Sequence, residues 1–141
     1  MNPNVAERTP RVLFVCAGNT CRSVLAEYLG RQMFGEEVVF ESAGINPQPA
    51  TDAANALHTL NKNFGIDASG HTPRNVRELD LNQYHLIIVL DKSALEIVEA
   101  LGPRSSKVKL WNIRDPWGGD LTEYDHASLE IKKKFVRLKA S

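Results

Sequence analysis

Four short runs of strand character, each followed by enough chain for a helix, constrain this sequence more than any other feature: Arg11 to Val15, Val38 to Phe40, Leu86 to Leu90 and Lys107 to Leu110. Around them, apolar residues recur at helical spacing. Leu25, Tyr28, Leu29 and Met33 follow the first run, and Leu57, Leu60 and Phe64 precede the third. Leu95, Val98 and Leu101 follow the third, and Leu121, Tyr124, Ile131, Phe135 and Leu138 form a last stripe. Strands joined by helices cannot pair as hairpins, so they lie parallel, with right-handed crossovers. The expected fold is a single α/β domain, a doubly wound four-stranded parallel sheet with helices on both faces. Leu86 to Leu90, apolar throughout, reads as a central strand covered on both sides. Thr51 and Asp52 are placed to cap the second helix and Gly65 to end it; Asp91 is placed to cap the third, before Gly102-Pro103. Ser42-Ala43-Gly44 reads as a turn. The expected boundaries are a flexible extension over residues 1–10 and a domain over residues 11–141.

In such a sheet, ligands bind beyond the carboxyl ends of the strands. The segment Val15-Cys16-Ala17-Gly18-Asn19-Thr20-Cys21-Arg22-Ser23 leaves the first strand at that rim and opens the first helix. A strand-to-helix turn directs successive N–H groups and the positive end of a helix dipole at one point, which attracts an anion. A thiol at that point has its thiolate stabilised by those dipoles, so Cys16 is a candidate nucleophile. Arg22 has the planar fork that pairs with two phosphoryl oxygens. Gly18 lets the backbone curl, Asn19 tolerates left-handed dihedrals, and Ser23 can donate to the sulfur. The bland alternative makes Cys16 a small buried hydrophobe. Asp115-Pro116 follows the last strand onto the same rim. Cysteine-based hydrolysis of a phosphoester needs a proton for the leaving atom and then a base for water, and Asp115 can supply both in turn. An Asp-Pro turn without chemistry is the alternative.

The pattern Cys-x-Gly-Asn-x-Cys-Arg-Ser with a distant Asp-Pro resembles the low-molecular-weight protein tyrosine phosphatases, which include related protein-arginine phosphatases. The likeness runs from Arg11 onward and takes in Ser42-Ala43-Gly44, the segment Gly65 to Arg74 with His71, and the strand ending at Asp91. It implies a cysteine-dependent phosphatase working through a phosphocysteine, with Cys16, Arg22 and Asp115 catalytic. Ala17, Gly18, Asn19, Thr20, Cys21 and Ser23 would form the phosphate loop, and Ser42 and His71 would support it through Asn19 and Ser23. Trp117 would wall the pocket, unless it packs in the core. Away from that network, a His beside Gly70 would read as a solvated surface residue. Cys21 is either a redox partner that traps oxidised Cys16 as a disulfide or a packed residue at the helix start. Phosphotyrosine is the first expected substrate. Phosphoarginine is the alternative, because Thr20 stands where tyrosine-directed members carry a branched apolar residue and because residues 45–50 hold no aromatic. Val24 replaces a common proline without touching the chemistry. An arsenate reductase on this fold would relay electrons through cysteines beyond Cys21, and a silent phosphate-binding module would not need both Cys16 and Asp115.

Lysine plus arginine equals aspartate plus glutamate, 17 each, so bulk charge does not favour nucleic acid. No apolar stretch reaches membrane-spanning length, and Met1 to Pro10 is polar, so a cytoplasmic setting without membrane insertion is expected. Two cysteines make no disulfide framework. His58, His71, His85 and His126 lack metal-ligand spacing, so neither metal nor cofactor is expected. The expected partner is a phosphorylated protein, and oligomeric state is left open.

Overall fold

The computed structural model describes residues 9–140, apart from the side chain of Ala140. The expected extension over residues 1–10 lies outside the described residues, save Thr9 and Pro10. The strands are β1 (Arg11–Cys16), β2 (Val39–Gly44), β3 (Leu86–Val89) and β4 (Val108–Leu110). The α-helices are α1 (Arg22–Phe34), α2 (Ala54–Phe64), α3 (Lys92–Ala100) and α4 (Leu121–Ala140). All strand pairs are parallel, in the order β2-β1-β3-β4. This is the α/β architecture expected from the alternation. Among the described residues, no helix is long and apolar enough to cross a membrane.

β1 pairs on both sides, so its side chains alternate between two cores. Val12, Phe14 and Cys16 enter one, and Leu13 and Val15 the other. The first core is covered by α1, α2 and α4, which pack on one another. At its centre Phe135 meets the rings of Phe14, Phe40 and Trp111 at centroid distances of 5.7, 5.6 and 5.3 Å, each edge to face. Gly30 lets α1 approach this cluster, since a Cβ there would stand 2.9 Å from Phe135 and 3.1 Å from Phe40. The second core lies under α3, which contributes Ala94 and Val98.

Gly65 ends α2 in the left-handed conformation (φ 66°), and the Asp91 carboxylate accepts from Ala94 N at the start of α3, both as expected. Three local expectations need correction. Ser42-Ala43-Gly44 is strand rather than turn, because β2 stays in register with β1 as far as Cys16 opposite Gly44. Thr51 and Asp52 do not cap α2; they lie in a 3₁₀ turn, Ala50–Ala53, and the helix begins at Ala54 without a side-chain cap. β4 starts only at Val108, because Lys107 closes the 3₁₀ turn Ser105–Lys107.

Candidate active site

Cys16 is the last residue of β1 and Arg22 the first of α1, so residues 17–21 form a loop at the carboxyl rim of the sheet. Asn19 adopts φ 56°, which its short polar side chain tolerates. The carbonyls of Cys16, Ala17 and Gly18 accept from Ile45 N, Asn46 N and Gln48 N at 3.0, 2.9 and 3.0 Å. The N–H groups of Gly18 to Cys21 have no acceptor among the described residues. A loop whose carbonyls are occupied behind it and whose amides are unspent is built to take an anion. Gly44 makes the close approach possible: a Cβ there would fall 2.8 Å from Ala17 O and 2.9 Å from Asn19 N.

The side chains behind the loop form one chain of donors. Asn19 Nδ2 donates to Ser23 Oγ and to Ser42 Oγ, both at 2.9 Å. With its oxygen so engaged, Ser23 is free to give its own proton to Cys16 Sγ, 2.8 Å away. Ser42 in turn donates to the Glu27 carboxylate. His71 Nε2 donates to Asn19 O at 2.8 Å, and Arg74 N to Asn19 Oδ1 at 2.9 Å. Ser42 and His71 therefore sit against Asn19, and His71 is not the solvated surface residue of the alternative. Burial pushes the Glu27 carboxyl up, against the opposing pull of the Ser42 hydroxyl and Arg31.

Arg22 is buried and bolted in place. Its Nη1 donates to Leu90 O and Ile113 O at 3.2 and 3.1 Å, and its Nη2 to Asp91 Oδ2 at 2.7 Å. Asp115 Oδ2 lies 3.5 Å from the same Nη2. The buried Nε has no partner among the described residues, a donor left for an incoming oxyanion. Burial alone would raise Asp91, but the Ala94 N–H, the Ser93 hydroxyl and Arg22 outweigh it and hold the carboxyl below the usual range. Asp115 is half exposed and its Oδ1 accepts from Trp117 N at 3.0 Å, closing the turn that carries Gly118 at φ 81°.

Cys16, Arg22, Asp115 and Trp117 line one cavity of about 180 Å³. Ala17, Gly18, Thr20 and Cys21 contribute to its base, and Asn46, Gln48 and Asp52 to a wall. Asn19, Ser23, Ser42 and His71 stand behind it. Trp117 is 56 % exposed, so it is not the packed core residue of the alternative. Cys21 is buried, with its sulfur 3.3 Å from the Tyr124 hydroxyl, and burial pushes its thiol up. Sequence reasoning located the wall at residues 45–50 but did not find Glu27, Arg74 or Tyr124 at the site, nor Asp52 in the wall, and it read Asp91 as the end of a strand and a helix cap without its contact to Arg22. One signal was available: Glu27 lies four residues after Ser23, on the same helix face.

Four likenesses to known proteins bear on this site. The family model described as low molecular weight phosphotyrosine protein phosphatase matches residues 11–141. An arsenate reductase of Staphylococcus xylosus is 33 % identical over 86 % of this chain and 89 % of its own. The low molecular weight protein tyrosine phosphatase of T. tengcongensis superposes with a TM-score of 0.75 at 29 % identity, covering 91 % of this chain and 99 % of its own. The arginine phosphatase YwlE, in a serine variant phosphorylated on that active-site serine, superposes with a TM-score of 0.75 at 25 % identity, covering 87 % and 89 %.

Proposed function

Because the chain belongs to the low molecular weight phosphotyrosine protein phosphatase family, we propose that it hydrolyses a phosphorylated protein side chain through a phosphocysteine, with residues 11–141 as the catalytic domain. The observation that carries this reading is the convergence on one cavity of the Cys16 sulfur, the Arg22 fork and the Asp115 carboxyl, below a loop with unspent amides.

In the first step Cys16, as thiolate, attacks phosphorus in line with the leaving atom. The loop amides and Arg22 hold the equatorial oxygens, where charge develops. Protonated Asp115 gives its proton to the leaving oxygen or nitrogen as the bond to phosphorus breaks. Water then attacks the phosphocysteine, the Asp115 carboxylate takes a proton from it, and sulfur departs as thiolate with the Ser23 hydroxyl donating to it. Before substrate enters, Asp115 lies against Arg22. A phosphoryl group on Arg22 replaces that contact and leaves the Asp115 carboxyl to face the leaving atom.

Phosphotyrosine is the first reading of the carrier. Phosphoarginine is the second, favoured by one observation: apart from Trp117 the cavity has no aromatic lining, and Thr20, Asn46, Gln48 and Asp52 face it. Arsenate has the shape of phosphate, and relatives carry the name arsenate reductase. Reducing it takes two electrons from thiols and a relay to discharge the resulting disulfide. Here the chain has only Cys16 and Cys21, and Cys21 is a buried thiol held by Tyr124, which supports phosphoryl transfer instead.

The test is turnover by two variants. Cys16→Ser abolishes phosphate release while inorganic phosphate still binds; near wild-type release overturns the proposal. Asp115→Asn slows substrates with poor leaving groups most, and equal losses across leaving groups would remove Asp115 from the acid role.

A further inference from the structure

Asp52 is out of place for a pocket that binds anions. It lies in the 3₁₀ turn before α2 and lines the same cavity as Cys16 and Arg22. Its carboxylate has no ion pair or side-chain hydrogen bond among the described residues. The cation of the cavity is already balanced, since Arg22 meets Asp91 at 2.7 Å and Asp115 at 3.5 Å. A further carboxylate on the wall repels the phosphoryl group unless the substrate brings compensating charge. A phenyl ring brings none. A guanidinium is planar and cationic and presents N–H pairs that match a carboxylate fork. Trp117, exposed on the same cavity, offers the aromatic face on which such a plane stacks.

We propose that Asp52 is a specificity-determining residue that selects a phosphorylated guanidinium, phosphoarginine, over a phosphorylated phenol. The inference rests on the phosphatase reading above and reverses the order of its two carriers, placing phosphoarginine before phosphotyrosine on the strength of Asp52. During reaction Asp52 accepts hydrogen bonds from the guanidinium nitrogens that do not carry phosphorus. Asp115 protonates the one that does, as the P–N bond breaks and the P–S bond forms. An acid at the start of a helix also eases the helix dipole. That role moves stability and leaves the choice of substrate alone.

The experiment compares the full chain with Asp52→Asn and Asp52→Glu, on a phosphoarginine peptide and a phosphotyrosine peptide of the same neutral flanking sequence, with inorganic phosphate as inhibitor. Wild type is expected to prefer the arginine peptide. Asp52→Asn is expected to lower the ratio of the two kcat/KM values about tenfold, as loss of one charge-assisted pair does. The same variant should bind inorganic phosphate more tightly, because a repelling charge is gone, and Asp52→Glu should recover part of the ratio. Opposite movements of substrate preference and phosphate affinity are not produced by a helix-stabilising role. A wild type that prefers phosphotyrosine, or a ratio unchanged in Asp52→Asn while both peptides are hydrolysed, overturns this inference and leaves the phosphatase reading standing. Release of phosphate from neither peptide by wild type overturns both.

Discussion

Glu27 shows how one buried carboxyl bears on the whole donor chain behind the sulfur. It accepts the Ser42 proton and so fixes which way the Ser42 hydroxyl points, which leaves the Ser42 oxygen to receive Asn19 Nδ2. Its pKa is raised in the folded state by burial. The fold therefore holds that proton more tightly than the unfolded chain, where a glutamate titrates at about 4.3. The resulting stabilisation is complete below the unfolded value and is lost as pH rises through the folded one. Glu27→Gln removes the titration. The stability of this variant relative to wild type should rise as pH increases from the ordinary glutamate range into the raised one and then level off, as read by urea melts at a series of pH values. A pH-independent difference would show that the carboxyl is not held up by burial.

At the scale of elements, the site depends on how far β2 runs alongside β1. The register carries Gly44 opposite Cys16, and continued hydrogen bonding from residues 45–48 closes the loop carbonyls. Gly44→Ala puts a methyl group against Ala17 O and Asn19 N, both main-chain atoms that cannot swing aside. The loop must shift, at a cost of about 1–3 kcal/mol. Inhibition by inorganic phosphate should weaken at least about tenfold, since loop amides that share one oxyanion lose their common focus. Melting curves and phosphate inhibition on the same preparation check both effects. Taking Ser42-Ala43-Gly44 as a turn missed this arrangement, because a short polar-small triplet reads locally as a turn while its pairing with β1 is a tertiary fact. Asp91 was legible as a cap because capping is local. Its second partner, Arg22, lies 69 residues away in the chain, and no local pattern announces it.

For the whole molecule, strand and helix periodicity was enough to place Cys16 and Asp115 on one rim, since a parallel sheet has only one carboxyl end. The place of residues 45–50 in the wall was legible, but that of Asp52 was not, because it depends on where the 3₁₀ turn directs a residue whose type suits a helix cap equally well. The aromatic centre is where the elements of the assembly meet. Phe135 on α4 meets rings from β1, β2 and the segment after β4. Phe135→Ala should cost about 3–5 kcal/mol. The denaturation midpoint and phosphate binding should then fall together, because the elements that carry the loop and Asp115 are anchored on that ring. Loss of binding with an unchanged midpoint would refute this coupling.

Residues 45–48 meet the loop through their main chain and the cavity through side chains: Asn46 N and Gln48 N hold the carbonyls of Ala17 and Gly18, while Asn46 and Gln48 also line the wall. Grip and clientele are thus written in different atoms of one strap. Under the proposed phosphatase reading, exchange of side chains along it redirects which modified residue is admitted while the main-chain hold on the loop stays in place.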